Sequence, residues 1–240
     1  MTVHDAKLVS KRDVAWETTA FHFSRPDGFV FKAGQAIDLI LPDAANPGAE
    51  GERHAFSLVN APFQDELCVT TRMRDSAYKR RLKALEVGAA VKIDGPFGSL
   101  SLHSKAARAA VFIAGGIGIT PFMSILRHAA HENLPQPLLL LYSNRRPEDA
   151  AFLPELRELE RQNPKFRIVA TMTQMSRSGQ LWTGETGMLD ERVLGRVIGD
   201  LPSPVVYVAG PPPMVESLRM ALGLAGIDED DIRSEEFYGY

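Results

Sequence analysis

Val111-Phe-Ile-Ala114 is a short apolar run of the kind a buried parallel strand needs. It breaks at Gly115, Gly116 and Gly118, and Pro121 follows. A proline suits the first position of a helix, where its missing N–H costs nothing. Phe122, Ile125 and Leu126 then give that helix a buried face. The pattern predicts a strand, a glycine turn and a helix N-terminus. Glycines let a ligand approach the backbone, and the N–H groups of a helix start favour an anion such as a pyrophosphate. Gly116-x-Gly118 lacks the third glycine of the dinucleotide fingerprint, and Thr120-Pro121 follows instead. On this stretch alone, a turn that only joins strand to helix stays open.

Other residues that could do chemistry are sparse. Cys68 is the single cysteine of the 240 residues. That excludes an internal disulfide, a four-cysteine iron–sulfur site and the usual structural zinc site. In its predicted strand it reads as a small core residue. His128 and His131 share a helix face with Glu132, but without a third ligand they predict no metal. Ser57 has no accompanying base motif and is not read as a nucleophile. The formal net charge of −3 gives no signal for nucleic acid. Hydrophobic content of 45% and charged content of 24% describe an ordinary globular protein. No apolar run approaches a membrane span, and the first residues lack the apolar core of a signal peptide, so a cytoplasmic location is expected.

The elements that must position these residues fall into two halves. Residues 5–103 hold short β-like runs separated by Gly, Pro, Asp and Asn: Thr18–Phe23, Ile37–Leu41, Ala55–Val59, Leu67–Met73 and Val91–Ile93. A loop is expected over Pro42–Glu52. One helix is expected from Ser76, a good N-cap, to about Glu86, with Gly88 as its stop. Many short strands predict a small closed barrel. The second half alternates: strands at Val111–Ala114, Leu138–Tyr142, Phe166–Thr171, Val205–Ala209 and Ile232–Phe237, with helical patterns between them. That alternation implies a parallel sheet covered by helices on both faces, with ligands at the carboxyl ends of its strands. The expected division is 1–104 and 105–240.

Four pieces occur in fixed order: Arg53-His-Ala-Phe-Ser-Leu58, Asp94-Gly-Pro-Phe-Gly98, Gly115-Gly-Ile-Gly-Ile-Thr-Pro121 and Ala209-Gly-Pro-Pro-Pro-Met214; the chain ends Glu235-Glu-Phe-Tyr-Gly-Tyr240. The set resembles the ferredoxin–NADP reductase superfamily. The resemblance implies an antiparallel FAD-binding β-barrel followed by a Rossmann-like NAD(P)-binding α/β domain. It implies hydride transfer from NAD(P)H to bound FAD, with electrons passed to a separate acceptor such as ferredoxin. An NAD(P)H:flavin reductase, or a non-catalytic electron-transfer subunit, are the alternatives. Phe56 matches the family's aromatic on the flavin ring and Ser57 its serine near the reactive nitrogen. His54 stands where the family carries a phosphate-binding arginine, with Ala55 between it and Phe56. Arg53 would point to the opposite strand face. Ser76 and Ala77 match the helix start at the flavin pyrophosphate, and Arg72 could add charge there or lie on a solvated strand face.

The resemblance further implies that Gly116, Gly118, Thr120 and Pro121 line the nicotinamide site, with Thr120 toward the ring. Gly210 and Pro211 admit the same ring, and Met214 starts the next helix. Ala209 stands where the family often has a cysteine. At the end of the second strand the chain reads Ser143-Asn-Arg-Arg146, with no acid for a ribose hydroxyl. Ser143 and Arg145 suit a 2′-phosphate, so NADPH is expected over NADH, unless the arginines only pair with Glu148 and Asp149. Glu235 and Phe237 resemble the family's terminal acid and its flavin-covering aromatic, with Tyr240 the second choice for that ring; Ser57, Glu235 and Phe237 are the expected catalytic set.

Overall fold

The computed structural model describes residues 2–42, 52–199, 201 and 203–238. Six antiparallel strands come first: β1 (Val3–Ala15), β2 (Thr18–Ser24), β3 (Ala36–Leu41), β4 (Glu52–Ser57), β5 (Glu66–Arg72) and β6 (Ala90–Phe97). Their order is β4-β3-β6-β1-β2-β5. The outer strands meet where Leu58 bridges Val69 and the Val59 N–H donates to the Cys68 carbonyl at 2.9 Å. That contact closes the barrel and removes the exposed edge. Phe21, Phe23, Leu39, Leu58, Val69 and Ile93 fill it. Helix α1 (Ala77–Ala84) starts as expected, with Ser76 Oγ accepting the Lys79 N–H at 3.2 Å. The expected loop over Pro42–Glu52 lies mostly outside the described residues.

β1 is the strand the sequence does not advertise. Only Ala6 and Leu8 of its thirteen residues are buried, so charged side chains mask any alternation. It nonetheless pairs with both β2 and β6.

The second half is a parallel sheet: β7 (Ala110–Gly115), β8 (Leu138–Asn144), β9 (Phe166–Met172), the two-residue β10 (Glu185–Thr186), β11 (Val205–Gly210) and β12 (Ile232–Glu236). Helices α2 (Ile119–His131), α3 (Leu153–Gln162), α4 (Glu191–Ile198) and α5 (Pro212–Leu224) connect these strands. Alternate residues of β7 face opposite layers, as a pleated strand requires. Phe112 and Ala114 pack with Phe122, Ile125 and Leu156 under α2 and α3. Val111 and Ile113 pack with Leu194, Val215 and Leu218 under α4 and α5. The strand order β10-β9-β8-β7-β11-β12 reverses direction at β7 and β11. That switch point places a ligand site at the ends of these two strands.

The halves are joined through α2. Ala33, Val59, Cys68 and Leu100 belong to the same apolar cluster as Phe122 and Ile125. Ser124 Oγ donates to the Asn60 carbonyl at 2.7 Å, and Arg127 donates to the Val59 carbonyl at 2.9 Å. A second tie crosses at the far side: Arg72 of β5 pairs with Asp149 at 2.8 Å.

Candidate functional site

The glycine turn is built by packing as much as by any ligand. A Cβ on Gly118 would lie 2.1 Å from the Ala209 carbonyl oxygen, and one on Gly115 would lie 2.2 Å from Met214 Sδ. Both glycines let the ends of β7 and β11 touch. Gly116 differs: its φ is +53° and a Cβ there would meet nothing within 4 Å, so this backbone faces open space. Helix α2 begins at Ile119, so Pro121 lies inside the first turn rather than at its first position. Its missing N–H is still one that has no helical acceptor. Gly118→Ala is expected to destabilise the protein by about 2 kcal/mol through overpacking against the Ala209 backbone. Gly116→Ala keeps the space but strains φ. Urea unfolding of the two variants separates these costs.

Two cavities meet at the strand ends. The larger holds about 460 Å³ and is lined by Gly116, Ser143, Arg145, Pro211, Met214 and Phe237, among others. The smaller is about 30 Å³, between Phe56 and Ser57 of the barrel and Ile117 and Thr120 of the glycine turn. Phe237 lines both. Its N–H donates to the Gly210 carbonyl at 2.9 Å, which continues the β11–β12 pairing and fixes where the ring stands. Thr120 Oγ1 donates to the Ile117 carbonyl at 3.0 Å. Ser57 Oγ is buried and, among the described residues, has no hydrogen-bond partner. An orphaned buried hydroxyl at a cleft wall fits a polar ring edge arriving there, as a flavin would present.

Other expected residues lie elsewhere around this seam. Phe56 is 5% exposed and is also part of the barrel core, 6.1 Å from the Tyr78 ring. His54 is exposed, 3.3 Å from Glu52, with its ring 4.0 Å from Tyr78. Arg53 points the other way, to Asp94 at 3.2 Å and Asp38 at 3.4 Å. Ala55 lines the small cleft, and Ser76 and Ala77 are exposed at the start of α1. Glu235 pairs in register with Ala209, and burial pushes its carboxyl up; it lines neither cavity. Ala209 is fully buried in the apolar layer. Tyr240 lies outside the described residues.

Arg146 holds Asp149 through two contacts of 2.9 Å, and Arg72 takes the same carboxylate. The expectation that the arginines serve only Glu148 and Asp149 thus fits Arg146. Arg145 is exposed on the cavity wall and, among the described residues, pairs with no carboxylate.

Trp16 and Arg177 border the groove beyond Arg145. Neither has a local motif, because separate segments bring them there. Lys79 lines none of these cavities; it is 8% exposed, and burial, then Arg74, pull its amine down to about 8.

Cys68 Sγ is 3.7 Å from His22 Nε2, and His22 Nδ1 is 3.0 Å from Glu66. The order thiol, imidazole, carboxylate has the outline of a nucleophile set. Burial opposes it, pushing the thiol up to about 11 and the imidazole down. Cys68 is an inert core residue.

Comparison with known proteins agrees with the geometry. A family model described as the oxidoreductase NAD-binding domain matches residues 112–220. The chain is 32% identical to ferredoxin–NADP reductase B of Sorangium cellulosum, over 97% of each chain. It is 26% identical to the glycine betaine monooxygenase reductase subunit of Chromohalobacter salexigens, over 98% of this chain and 64% of that one. A crystal structure of a ferredoxin NADP⁺ reductase from Neisseria gonorrhoeae with bound FAD and NADP superposes with a TM-score of 0.81 at 22% identity, covering 98% of both. With these relatives, the chain is a FAD-dependent NAD(P)H oxidoreductase. The chain belongs to the ferredoxin–NADP reductase superfamily.

Proposed function

We propose that the chain prefers NADPH and delivers its electrons to a separate small redox protein, a ferredoxin or a similar carrier. The observation that carries the reading is Phe237, one side chain lining both the barrel cleft and the larger cavity. FAD, when bound, supplies the two-electron chemistry. The chain's residues do the rest. Ser57 offers its unpartnered hydroxyl to the ring edge, and the free N–H groups near Ser76 and Ala77 take the pyrophosphate. Arg72, Phe56, His54 and Ala55 complete that side. Gly116, Gly118, Thr120, Pro121, Gly210, Pro211 and Met214 shape the nicotinamide end. Phe237 shields the seam from water until a second ring enters. Glu235, whose carboxyl is pushed up by its burial, stands beside Ala209 in the adjoining strand as the candidate acid of the set. The division into 1–104 and 105–240 belongs to the same proposal, since the antiparallel sheet ends at Phe97 and the parallel one begins at Ala110. So does a cytoplasmic location, which suits a chain with one unpaired cysteine.

Ser143 and Arg145 on the cavity wall support the preference for NADPH. Arg145→Ala is expected to raise KM for NADPH about tenfold, the low end for one charge-assisted hydrogen bond, and to leave KM for NADH unchanged. Equal changes for both cofactors contradict the contact. Anaerobic titration of the purified yellow protein tests the function itself. Bleaching by NADPH at lower concentration than by NADH, followed by reoxidation with a ferredoxin, is the expected result. Failure of either nucleotide to bleach it overturns the reading, and reoxidation by free flavin alone replaces the carrier with a diffusible flavin.

A further inference from the structure

Trp16 and Glu17 turn the chain from β1 into β2, yet the barrel alone does not hold them. The Trp16 N–H donates to the Glu148 carbonyl at 2.8 Å, across the seam, and the Glu17 carbonyl accepts the Met73 N–H at 2.6 Å. Glu17 sits in left-handed backbone, φ 49°. The indole is 59% exposed, which is unusual for so large an apolar group. Arg146 lies 5.9 Å over its ring, so a cation backs the ring while more than half of the side chain stays open.

The Glu148 side chain reaches in the other direction. It accepts from Ser178 Oγ at 2.8 Å and from the Gly179 N–H at 3.1 Å. One residue thus sets the spacing between the Trp16 turn and the turn that carries Arg177. Between the two lies a cavity of about 220 Å³. It shares Arg72, Arg145 and Asp149 with the larger cavity, so the two are lobes of one groove that runs away from Phe237. Four guanidinium groups, of Arg72, Arg145, Arg146 and Arg177, line this lobe against the carboxylates of Glu17 and Asp149. Asp149 is already taken by Arg72 and Arg146. Arg177 reaches Gln174 Oε1 at 3.5 Å and, among the described residues, pairs with no carboxylate.

We propose that Trp16 is the stacking platform for the adenine base of NADPH and that Arg177 joins Arg145 on the 2′-phosphate. The assignment rests on the reading of the groove as the nicotinamide-nucleotide site. A flat base and a dianion are two demands that one surface rarely meets. Here an open indole backed by a cation meets the first, because stacking needs only a π face and gains from the charge behind it. Two guanidinium groups with no carboxylate partner among the described residues meet the second, because their planar forks match phosphate oxygens. The barrel's β1–β2 turn thereby becomes part of the nucleotide site of the other half.

Isothermal titration of the FAD-loaded protein with 2′,5′-ADP and with 5′-AMP isolates this end of the ligand, since neither carries nicotinamide. Trp16→Ala is expected to weaken both about tenfold, as loss of one base stack does, and Trp16→Phe to retain most of the affinity. The turn's anchoring bonds are made by backbone, so these substitutions leave it in place. Arg177→Ala is expected to weaken 2′,5′-ADP about tenfold and to leave 5′-AMP within twofold. Wild-type affinities in Trp16→Ala overturn the platform, and equal weakening of both ligands in Arg177→Ala overturns the phosphate contact. If the wild-type protein binds the two ligands equally, the preference for NADPH fails and Arg177's role with it; Trp16→Ala still decides the base platform.

Discussion

Asp149→Ala is expected to cost about 3 kcal/mol of stability, the low end for removing one partner from a buried charge cluster. The low end applies because Arg72 and Arg146 keep 20% and 25% of their side-chain exposure and can turn partly to water, whereas Asp149 keeps 3%. Their attraction lowers the Asp149 carboxyl against the opposing effect of its burial. A lowered carboxyl contributes stability that is complete above its unfolded value, roughly 3.9, and is lost as pH falls through the lower folded value. The difference between wild type and Asp149→Ala in urea unfolding should therefore be full at pH 7 and shrink below about pH 4. A difference independent of pH down to 3 contradicts the electrostatic account. Because Arg72 belongs to the barrel and Asp149 to the turn after β8 in the other half, the same variant should loosen the seam and raise KM for NADPH.

Phe237→Ala is expected to tighten NADP⁺ binding about tenfold or more. The side chain lines both cavities, and under the proposed function these take the flavin and the nicotinamide, so the ring leaves when the second ring enters. Exposing a fully buried Phe costs roughly 1.5–3 kcal/mol, and this one is partly exposed already. Removing that cost returns it as affinity. The flavin absorption bands should shift as well, since its cover is lost. Equilibrium titration with NADP⁺, followed by absorbance, reads both effects; an unchanged Kd and spectrum would place the gate elsewhere.

Much of the fold could be read from the residues because two periodicities dominate. Buried strands such as Leu138–Tyr142 and Val205–Ala209 are continuous apolar runs, and Ser76 and Asp190 announce helix starts with capping side chains. β1 escaped because its partners cover its backbone while its side chains face water. The cavity wall was legible where a single segment lines it, as in 115–117 and 143–145. It was illegible where distant segments converge. Trp16, Arg177 and the Arg72–Asp149 pair depend on which loops meet across the seam, and no spacing along the chain records that. Gly118 and Gly115 were legible as glycines but for an incomplete reason. The Ala209 backbone and the Met214 side chain occupy the space their side chains would fill.

Under the proposed function, two rings meet where Phe237 now stands. A crystal structure of the protein with FAD and NADP⁺ bound decides this. The expected result is a flavin edge at Ser57, a nicotinamide against Thr120 and Gly210, and Phe237 displaced from between them. A flavin bound with Phe237 still seated on the Ser57–Thr120 cleft and the nicotinamide ring held elsewhere would contradict it.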